Sequence, residues 1–457
     1  MIPESVIEAV KDRVDIVQVV GRHVALKRVG RAYVGLCPFH TEKSPSFNVS
    51  PDRRGYHCFG CGEGGNVLRF LCKVQNRSFP EVVRELAKEY GIPIPEAPES
   101  PEDRARDALR NRLFALNERV VTFFREQLSA DTGEEARKYL EERGLNPGVC
   151  AEFEVGFGGP GWDGLWQALG KTDQEREDLL TLGLCVKGDN NVYDRFRGRV
   201  IFPIRDEKLR VVGFGGRVFG ERAKKEGVAK YLNNSESPIY EKSQVFYRLP
   251  QALTRIRRGE AAVIVEGYFD AIALERCGLA AMATCGTALT PRHAHHLQRL
   301  KAEVVLCWDG DAAGDRAVRK AGEVLLPLGI TTRVASLPIG DDPDTYVART
   351  GLTGASRLVK EAEPLPKFVI QAAARAAEDA GDDIPRRVAA IRSLAWLFHA
   401  IPAGLEKDLY LDLAAKKLGL TQEQLQREFR EAGHRPVVHA PAVHQAAPVP
   451  APAQNLP

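Results

Sequence analysis

At 457 residues the chain is too long for one ordinary domain and implies two or three. Its 44% hydrophobic and 27% charged residues are those of a soluble globular protein, no apolar run is long enough to cross a bilayer, and no membrane partner is expected. A net charge of only +3 excludes a global field that announces nucleic acid, so the distribution of charge matters more than its sum. The opening MIPESVIEAVKDRVDIVQVV lacks the basic start and apolar core of a signal peptide, which points to a cytoplasmic protein. Its periodicity predicts a helix over 4–20, with Val6, Ile7, Val10, Val14 and Val17 on one face.

Next come Cys37, His40, Cys58 and Cys61, spaced C-x2-H, seventeen residues, C-x2-C. Three thiolates and an imidazole are a complete soft ligand set for one tetrahedral zinc ion of the structural kind. Gly60 and Gly62 supply backbone freedom around the second pair, and Phe47, Val49 and Tyr56 flank a polar turn between the pairs. A hairpin with two ligands at each base is a zinc ribbon. Phe47, Tyr56 and Phe59 are candidates either for stacking on nucleic-acid bases or for the ribbon's core. The basic residues Lys43, Arg53, Arg54, Arg69, Lys73 and Arg77 crowd around the ribbon, and others crowd over 195–258. Six further cysteines (Cys72, Cys150, Cys185, Cys277, Cys285 and Cys307) sit mostly in apolar text and read as small core residues rather than disulfide partners.

Asn66 can cap a short helix VLRFLCKV, and Ser78 with Glu81 forms a capping box for a second helix that Gly91 ends. The Pro- and Glu-rich stretch after Gly91 reads as a linker, and helical text follows over 105–145. From about 150 to 250 short β-runs with many glycines predict a curved antiparallel sheet. From 260 apolar strands alternate with helices, the pattern of a doubly wound parallel sheet, and 360–433 looks entirely helical. The Ala/Pro/Val-rich remainder reads as a disordered tail. The expected division is 1–95 ribbon domain, 96–108 linker, 109–258 basic mixed region, 259–345 parallel-sheet region, 346–433 helical region and 434–457 tail. The fold class is thus a multidomain chain of α/β and α+β parts. Gly164…Gly170-Lys171-Thr172 imitates a phosphate-binding loop but follows helical text and has the wrong spacing. His293, His295 and His296 read as the exposed side of a helix begun by Thr290-Pro291.

Chemistry in α/β sheets gathers at the carboxyl ends of strands. Three such ends carry acids: Glu266 with Asp270, Asp309 with Asp311, and Asp341, Asp342 and Asp344. Convergent carboxylates repel unless divalent cations lie between them, and Mg²⁺ suits an all-oxygen site with positions left for phosphate. Two such ions can activate a hydroxyl and neutralise a leaving pyrophosphate.

The text E-G-x-x-D, D-G-D-x-A-G and D-P-D over about 260–345 resembles a Toprim domain. Together with the zinc set, R-G-R-V-I-F-P-I (197–204), GFGGR ending at Arg217, KYLNN (230–234), Lys242 and GTALT (286–290), it resembles the bacterial DNA primases of the DnaG type over about 1–433. The resemblance implies a nucleotidyltransferase that makes short RNA primers on single-stranded DNA. It implies zinc on Cys37, His40, Cys58 and Cys61, and catalytic Mg²⁺ or Mn²⁺ on Glu266, Asp309 and Asp311. Asp270, Asp342 and Asp344 would complete the acidic centre, and the alternative role for Glu266, in place of metal binding, is general acid/base work. Arg197, Arg199, Arg217, Lys230 and Lys242 would line the path of template, ribonucleoside triphosphates and nascent RNA. A monomer is expected. A replicative helicase is the family's partner, but its helical binding domain has no counterpart after 433 in this sequence. Other readings are a Toprim topoisomerase or nuclease, for which no tyrosine nucleophile on a DNA-gate domain is identifiable, and a non-catalytic zinc-ribbon replisome protein, which has no use for clustered carboxylates.

Overall fold

Asp15 breaks the helix that the N-terminal periodicity predicts. Its carboxylate accepts the N–H groups of Val17 (2.8 Å) and Gln18, so helices Glu4–Arg13 and Ile16–Gly21 meet at an N-cap instead of running on. The break buries Ile16, Val19 and Val20 with Val6, Val10 and Val14. The computed structural model describes residues 2–434 apart from 41, 43, 76, 94–99, 190, 309–311 and 339. Its contacts divide the chain into Met1–Asp107 and Ala108–Pro457.

The first unit is built on an antiparallel sheet of strands in chain order: β1 (Lys27–Val29), β2 (Ala32–Gly35), β3 (Phe47–Ser50), β4 (Gly55–Cys58) and β5 (Gly64–Asn66). Phe47 and Val49 alternate inward, and Val49 pairs with Tyr56 across the hairpin. The Phe47 and Tyr56 rings stack at 5.2 Å and Phe70 meets Tyr56 edge-on at 5.5 Å. Phe47 and Tyr56 are therefore core residues and not base-stacking platforms; Phe59 alone of the three is exposed, at 74%. Asn66 caps Val67–Val74, and the Ser78–Glu81 capping box opens Phe79–Glu89, as expected.

The second unit contains most of helix Pro101–Ser129, which starts inside the stretch expected to be linker to 108. The Ser100 hydroxyl accepts the Asp103 N–H at 3.0 Å, and Pro101 takes the first helical position, so Pro- and Glu-rich text here is a helix start. Strands β6 (Gly156–Phe157), β7 (Cys185–Lys187), β8 (Val192–Asp194), β9 (Arg199–Arg205), β10 (Val211–Val218) and β11 (Tyr231–Asn233) follow. Four of them form the expected antiparallel sheet in the order β11-β10-β9-β6, while β7 and β8 pair as a hairpin. Across that sheet Phe202, Gly215 and Asn233 lie in one row. A Cβ on Gly215 would lie 2.2 Å from the Tyr268 ring, so the glycine is needed for a close approach.

The remaining strands are β12 (Phe246–Tyr247), β13 (Ala262–Val265), β14 (Ala280–Thr284), β15 (Val304–Leu306), β16 (Thr332–Val334) and β17 (Glu363–Pro364), in the order β12-β14-β13-β15-β16-β17. The inner four are parallel, and the edges β12 and β17 are antiparallel. β17 interrupts the stretch expected to be all helix; five helices between Leu365 and His434 follow it. Of the tail expected over 434–457, His434 instead ends helix Gln422–His434, and 435–457 lies outside the described residues. Helix Pro291–Leu300 starts at Thr290 as expected, but His293 is wholly buried, not exposed. Its Nδ1 accepts the Thr290 N–H, its Nε2 lies 3.1 Å from the Val245 carbonyl, and its ring packs 4.4 Å from Phe246. Burial pushes its pKa down to about 4, which keeps it neutral. His296 is half-buried, and only His295 is exposed. Gly164–Leu169 is a helix and Thr172 caps the next one, which leaves no phosphate-binding loop there. Cys150, Cys185, Cys285 and Cys307 are buried and Cys72 and Cys277 half-buried, and none of them forms a disulfide.

Gly215→Ala is expected to cost about 1–3 kcal/mol in urea unfolding by overpacking against Tyr268. An unchanged unfolding midpoint would contradict the close approach of that ring to β10.

Candidate active site and metal centre

The ligand atoms of Cys37, His40, Cys58 and Cys61 all lie within 4.8 Å of one another. A tetrahedral zinc about 2.3 Å from each sulfur sets sulfurs about 3.8 Å apart, and the Cys37 and Cys61 Sγ atoms are 3.9 Å apart. His40 turns Nδ1 toward Cys58 Sγ (3.8 Å) and Nε2 toward Glu42 (3.2 Å), which fixes the tautomer with Nδ1 free to ligate. Glu42 is itself held by the N–H groups of Cys37 (2.7 Å) and Ser46 (3.2 Å). A Cβ on Gly60 would lie 2.8 Å from both His40 Nε2 and Ser46 Oγ, so glycine is required beside the ligands. Burial pushes the Cys37 thiol up to about 12. At Cys58 burial is outweighed by hydrogen bonds from Ser46 and the Cys61 and Gly60 N–H groups, which bring it down to about 6. The donor set fits zinc.

The basic residues near the ribbon are largely neutralised. Arg54 pairs with Asp12, Arg69 and Lys73 with Glu63, and Arg77 with Glu85. Lys43 lies outside the described residues.

In the second unit Glu266 directly follows β13, exposed at the strand's carboxyl end. Gly267 then starts helix Tyr268–Arg276, and a Cβ there would lie 2.3 Å from Asp270 Oδ2; the glycine lets Asp270 turn back toward the strand end. Asp270 accepts the Asp344 N–H at 3.1 Å, and the Asp344 carboxylate accepts from Arg143 at 2.8 Å. Burial raises the Asp344 pKa and Arg143 opposes that rise. Asp342 caps helix Pro343–Lys360 through the Thr345 N–H (2.8 Å), and Asp341 pairs with Arg349. Glu266, Asp270 and Asp342 line one cleft of about 550 Å³ with Arg143, Arg217 and Lys230. Asp344 instead borders the neighbouring depression beside Arg143. Asp309 and Asp311 lie outside the described residues. Among the described residues, the zinc set is the one group of three or more His, Cys, Asp or Glu side chains placed to hold an ion.

Arg143 is a site residue that sequence reasoning missed. It stands at the Glu-Arg-Gly end of helix Glu134–Glu142, with its guanidinium 5.0 Å from the Phe269 ring centre. Of the five cations expected to line the path, Arg217 and Lys230 reach the cleft. Arg217 lies over the Tyr231 ring at 4.6 Å. Arg199 is only 7% exposed, donates to the Lys230 carbonyl, and is pushed down to about 10 by burial and neighbouring arginines. Arg197 lies over Trp162 (3.9 Å) and Tyr193 (5.0 Å) and donates to the Asp194 carbonyl. Lys242 follows the Ser237–Tyr240 turn, its N–H donating to Glu236 at 3.2 Å. Neither Arg197 nor Lys242 lines the cleft.

A zinc ribbon followed by an antiparallel sheet and a parallel sheet with acids at its strand ends defines a zinc-ribbon protein with a Toprim-type core. The family models agree: CHC2 zinc finger over 2–101, DNA primase catalytic core N-terminal domain over 123–253, and Toprim-like over 263–347. The DNA primase of Halalkalibacterium halodurans is 38% identical over 434 residues, 93% of this chain and 71% of that protein. Two other curated DNA primases, longer relative to the match, are spanned over 56% and 63% of their length. The crystal structure of the zinc-binding and RNA polymerase domains of Aquifex aeolicus primase is similar with a TM-score of 0.57 and 29% identity, covering 92% of this chain and 99% of that one. A DnaG primase catalytic domain bound to ssDNA gives a TM-score of 0.58 at 34% identity, covering 70% of this chain and 99% of that one. The chain belongs to the bacterial DNA primase family of the DnaG type.

Glu42→Ala is expected to weaken zinc affinity about 10–100-fold in chelator competition, because it removes the partner that orients His40. Unchanged affinity would mean that His40 needs no such support.

Proposed function

We propose that this chain synthesises short RNA primers de novo on single-stranded DNA, acting as a monomer in the cytoplasm. The observation that carries the reading is the single cleft in which Glu266, Asp270 and Asp342 face Arg217 and Lys230. A binding module gains nothing from carboxylates that repel phosphate, whereas phosphoryl transfer needs both signs of charge.

Glu266, with Asp309 and Asp311, would hold Mg²⁺ or Mn²⁺, which supplies Lewis acidity to the attacking hydroxyl and the leaving pyrophosphate. Arg217 and Lys230 hold the triphosphate so that the 3′-hydroxyl faces the α-phosphorus. The hydroxyl gives up its proton as the new O–P bond forms, and the bond to the β-phosphate breaks to release pyrophosphate. In its alternative role, Glu266 would not ligate metal, and its carboxylate, exposed at the strand end, would take that proton instead. Asp344 holds Arg143 and, through its N–H, Asp270. The template is single-stranded DNA, as in the ssDNA-bound DnaG relative, and the zinc ribbon takes part in choosing where synthesis starts. A replicative helicase is the proposed partner.

Asp309→Ala and Asp311→Ala are expected to reduce primer synthesis by a factor on the order of 10²–10³, with single-stranded DNA affinity retained. Loss of DNA binding together with synthesis would give these acids a structural role instead.

A further inference from the structure

A cavity of about 120 Å³ lies among helices Pro101–Ser129, Glu134–Glu142 and Pro147–Glu152 and shares no lining residue with the active-site cleft. Leu128, Leu140, Leu145, Cys150 and Val155 wall it, all of them buried. Burial pushes the Cys150 thiol up to about 11, so this wall is neutral as well as apolar. An apolar cavity of about 150 Å³ takes up benzene, so this one has the size for a four-carbon side chain such as leucine's. The wall is held by backbone hydrogen bonds. The Leu145 N–H donates to the Leu140 carbonyl and the Gly144 N–H to the Glu141 carbonyl, both at 2.9 Å. Gly144 takes the left-handed conformation (φ 73°) of a Schellman closure, which sets Leu140 beside Leu145. Arg143, between them in the chain, lines the active-site cleft instead.

Three charged side chains also line the cavity: Arg125, Arg137 and Glu141. Arg137 Nη1 donates to the Leu128 and Ala130 carbonyls at 2.6 and 2.7 Å. Those bonds fix the guanidinium at the end of the long helix, and its Nε and Nη2 are left for another acceptor. Arg125 and Glu141 are exposed, and among the described residues neither forms an ion pair. Elsewhere on the same helix Arg112 pairs with Asp178 and Arg119 with Glu175. The cavity therefore joins an apolar interior to cations and an anion that do not neutralise each other.

We propose that this cavity binds a free aliphatic amino acid of leucine's size, its side chain among Leu128, Leu140 and Val155, its carboxylate on Arg125 and Arg137, and its ammonium on Glu141. A zwitterion beside an apolar chain is the small molecule that matches all three features at once. Guanidinium–carboxylate contacts are charge-assisted and directional, and a few polar groups around an apolar pocket decide which molecule enters. Glycine lacks the side chain and 4-methylpentanoate lacks the ammonium, so each removes one of those features.

The test is equilibrium dialysis of the full chain with radiolabelled L-leucine, with unlabelled glycine and 4-methylpentanoate as competitors, in wild type, Arg125→Ala, Glu141→Gln and Ala151→Trp. Saturable binding of leucine to wild type is expected, with both competitors at least several-fold weaker than leucine itself. Arg125→Ala should weaken leucine about tenfold and Glu141→Gln several-fold. Ala151 is exposed and lines the cavity, so the indole of Ala151→Trp covers the mouth without entering the core, and binding should be lost. All three changes are at exposed positions and should leave the melting temperature unchanged. No saturable leucine binding to wild type overturns the proposal. So does binding that survives unchanged in Arg125→Ala and Ala151→Trp, which would put leucine elsewhere on the chain. Competition by glycine or 4-methylpentanoate as strong as by leucine also overturns it, because the cavity or Glu141 would then contribute nothing.

Discussion

Tyr268 is the contact on which the catalytic unit depends. Its ring lies parallel to Phe202 at 5.0 Å and over Gly215, and its hydroxyl bonds the side chain of Asn233. Phe202, Gly215 and Asn233 are neighbours across β9, β10 and β11, so one tyrosine spans three strands of the antiparallel sheet. Asn233 also donates to the Cys285 carbonyl, just past β14 of the other sheet. Tyr268 stands two residues after Glu266, and Asn233 three after Lys230. The seam that joins the two sheets therefore also sets the acid on one strand end against the cation beside another. Burial holds the Tyr268 hydroxyl far above its ordinary pKa, so it stays a neutral donor.

Charge pairing follows the same division. Over most of the surface arginines and carboxylates meet, as in Arg205 between Glu118 and Glu154 and Arg248 on Glu275. Around the two halves of the core the pattern fails: Arg195, Arg197, Arg199 and Arg222 donate to backbone carbonyls and to no carboxylate among the described residues. Departures from local pairing rules concentrate at functional sites.

The zinc set and the acid at the end of β13 were legible in the sequence because their information is local: fixed spacing for the ligands, and a buried strand ending in an acid and a glycine for Glu266. The four-residue strand of Ala262–Val265, buried throughout, and the order of strands and helices after 260 followed from the same pattern. What failed depended on neighbours distant in the chain. Phe47 and Tyr56 become core only because Phe70 closes over them, and His293 is buried only because β12 packs on its helix. Arg199 carries the charge of a groove residue, but its place on β9 turns it inward. Asp15 followed by an apolar run is a capping signal that the hydrophobic period obscured. Arg143 was read only as part of a helix end, since only the fold brings it to the cleft of Glu266.

The central claim is that the cleft between the two sheets makes RNA without a primer. Its most direct test is incubation of the wild-type chain with primer-free single-stranded DNA, four ribonucleotides and Mg²⁺, with products resolved on a denaturing gel. Short RNA chains whose sequence follows the template are the predicted result. Nicking or relaxation of DNA with no RNA product, under Mg²⁺ and Mn²⁺ alike, would contradict it and return the acids to another Toprim chemistry.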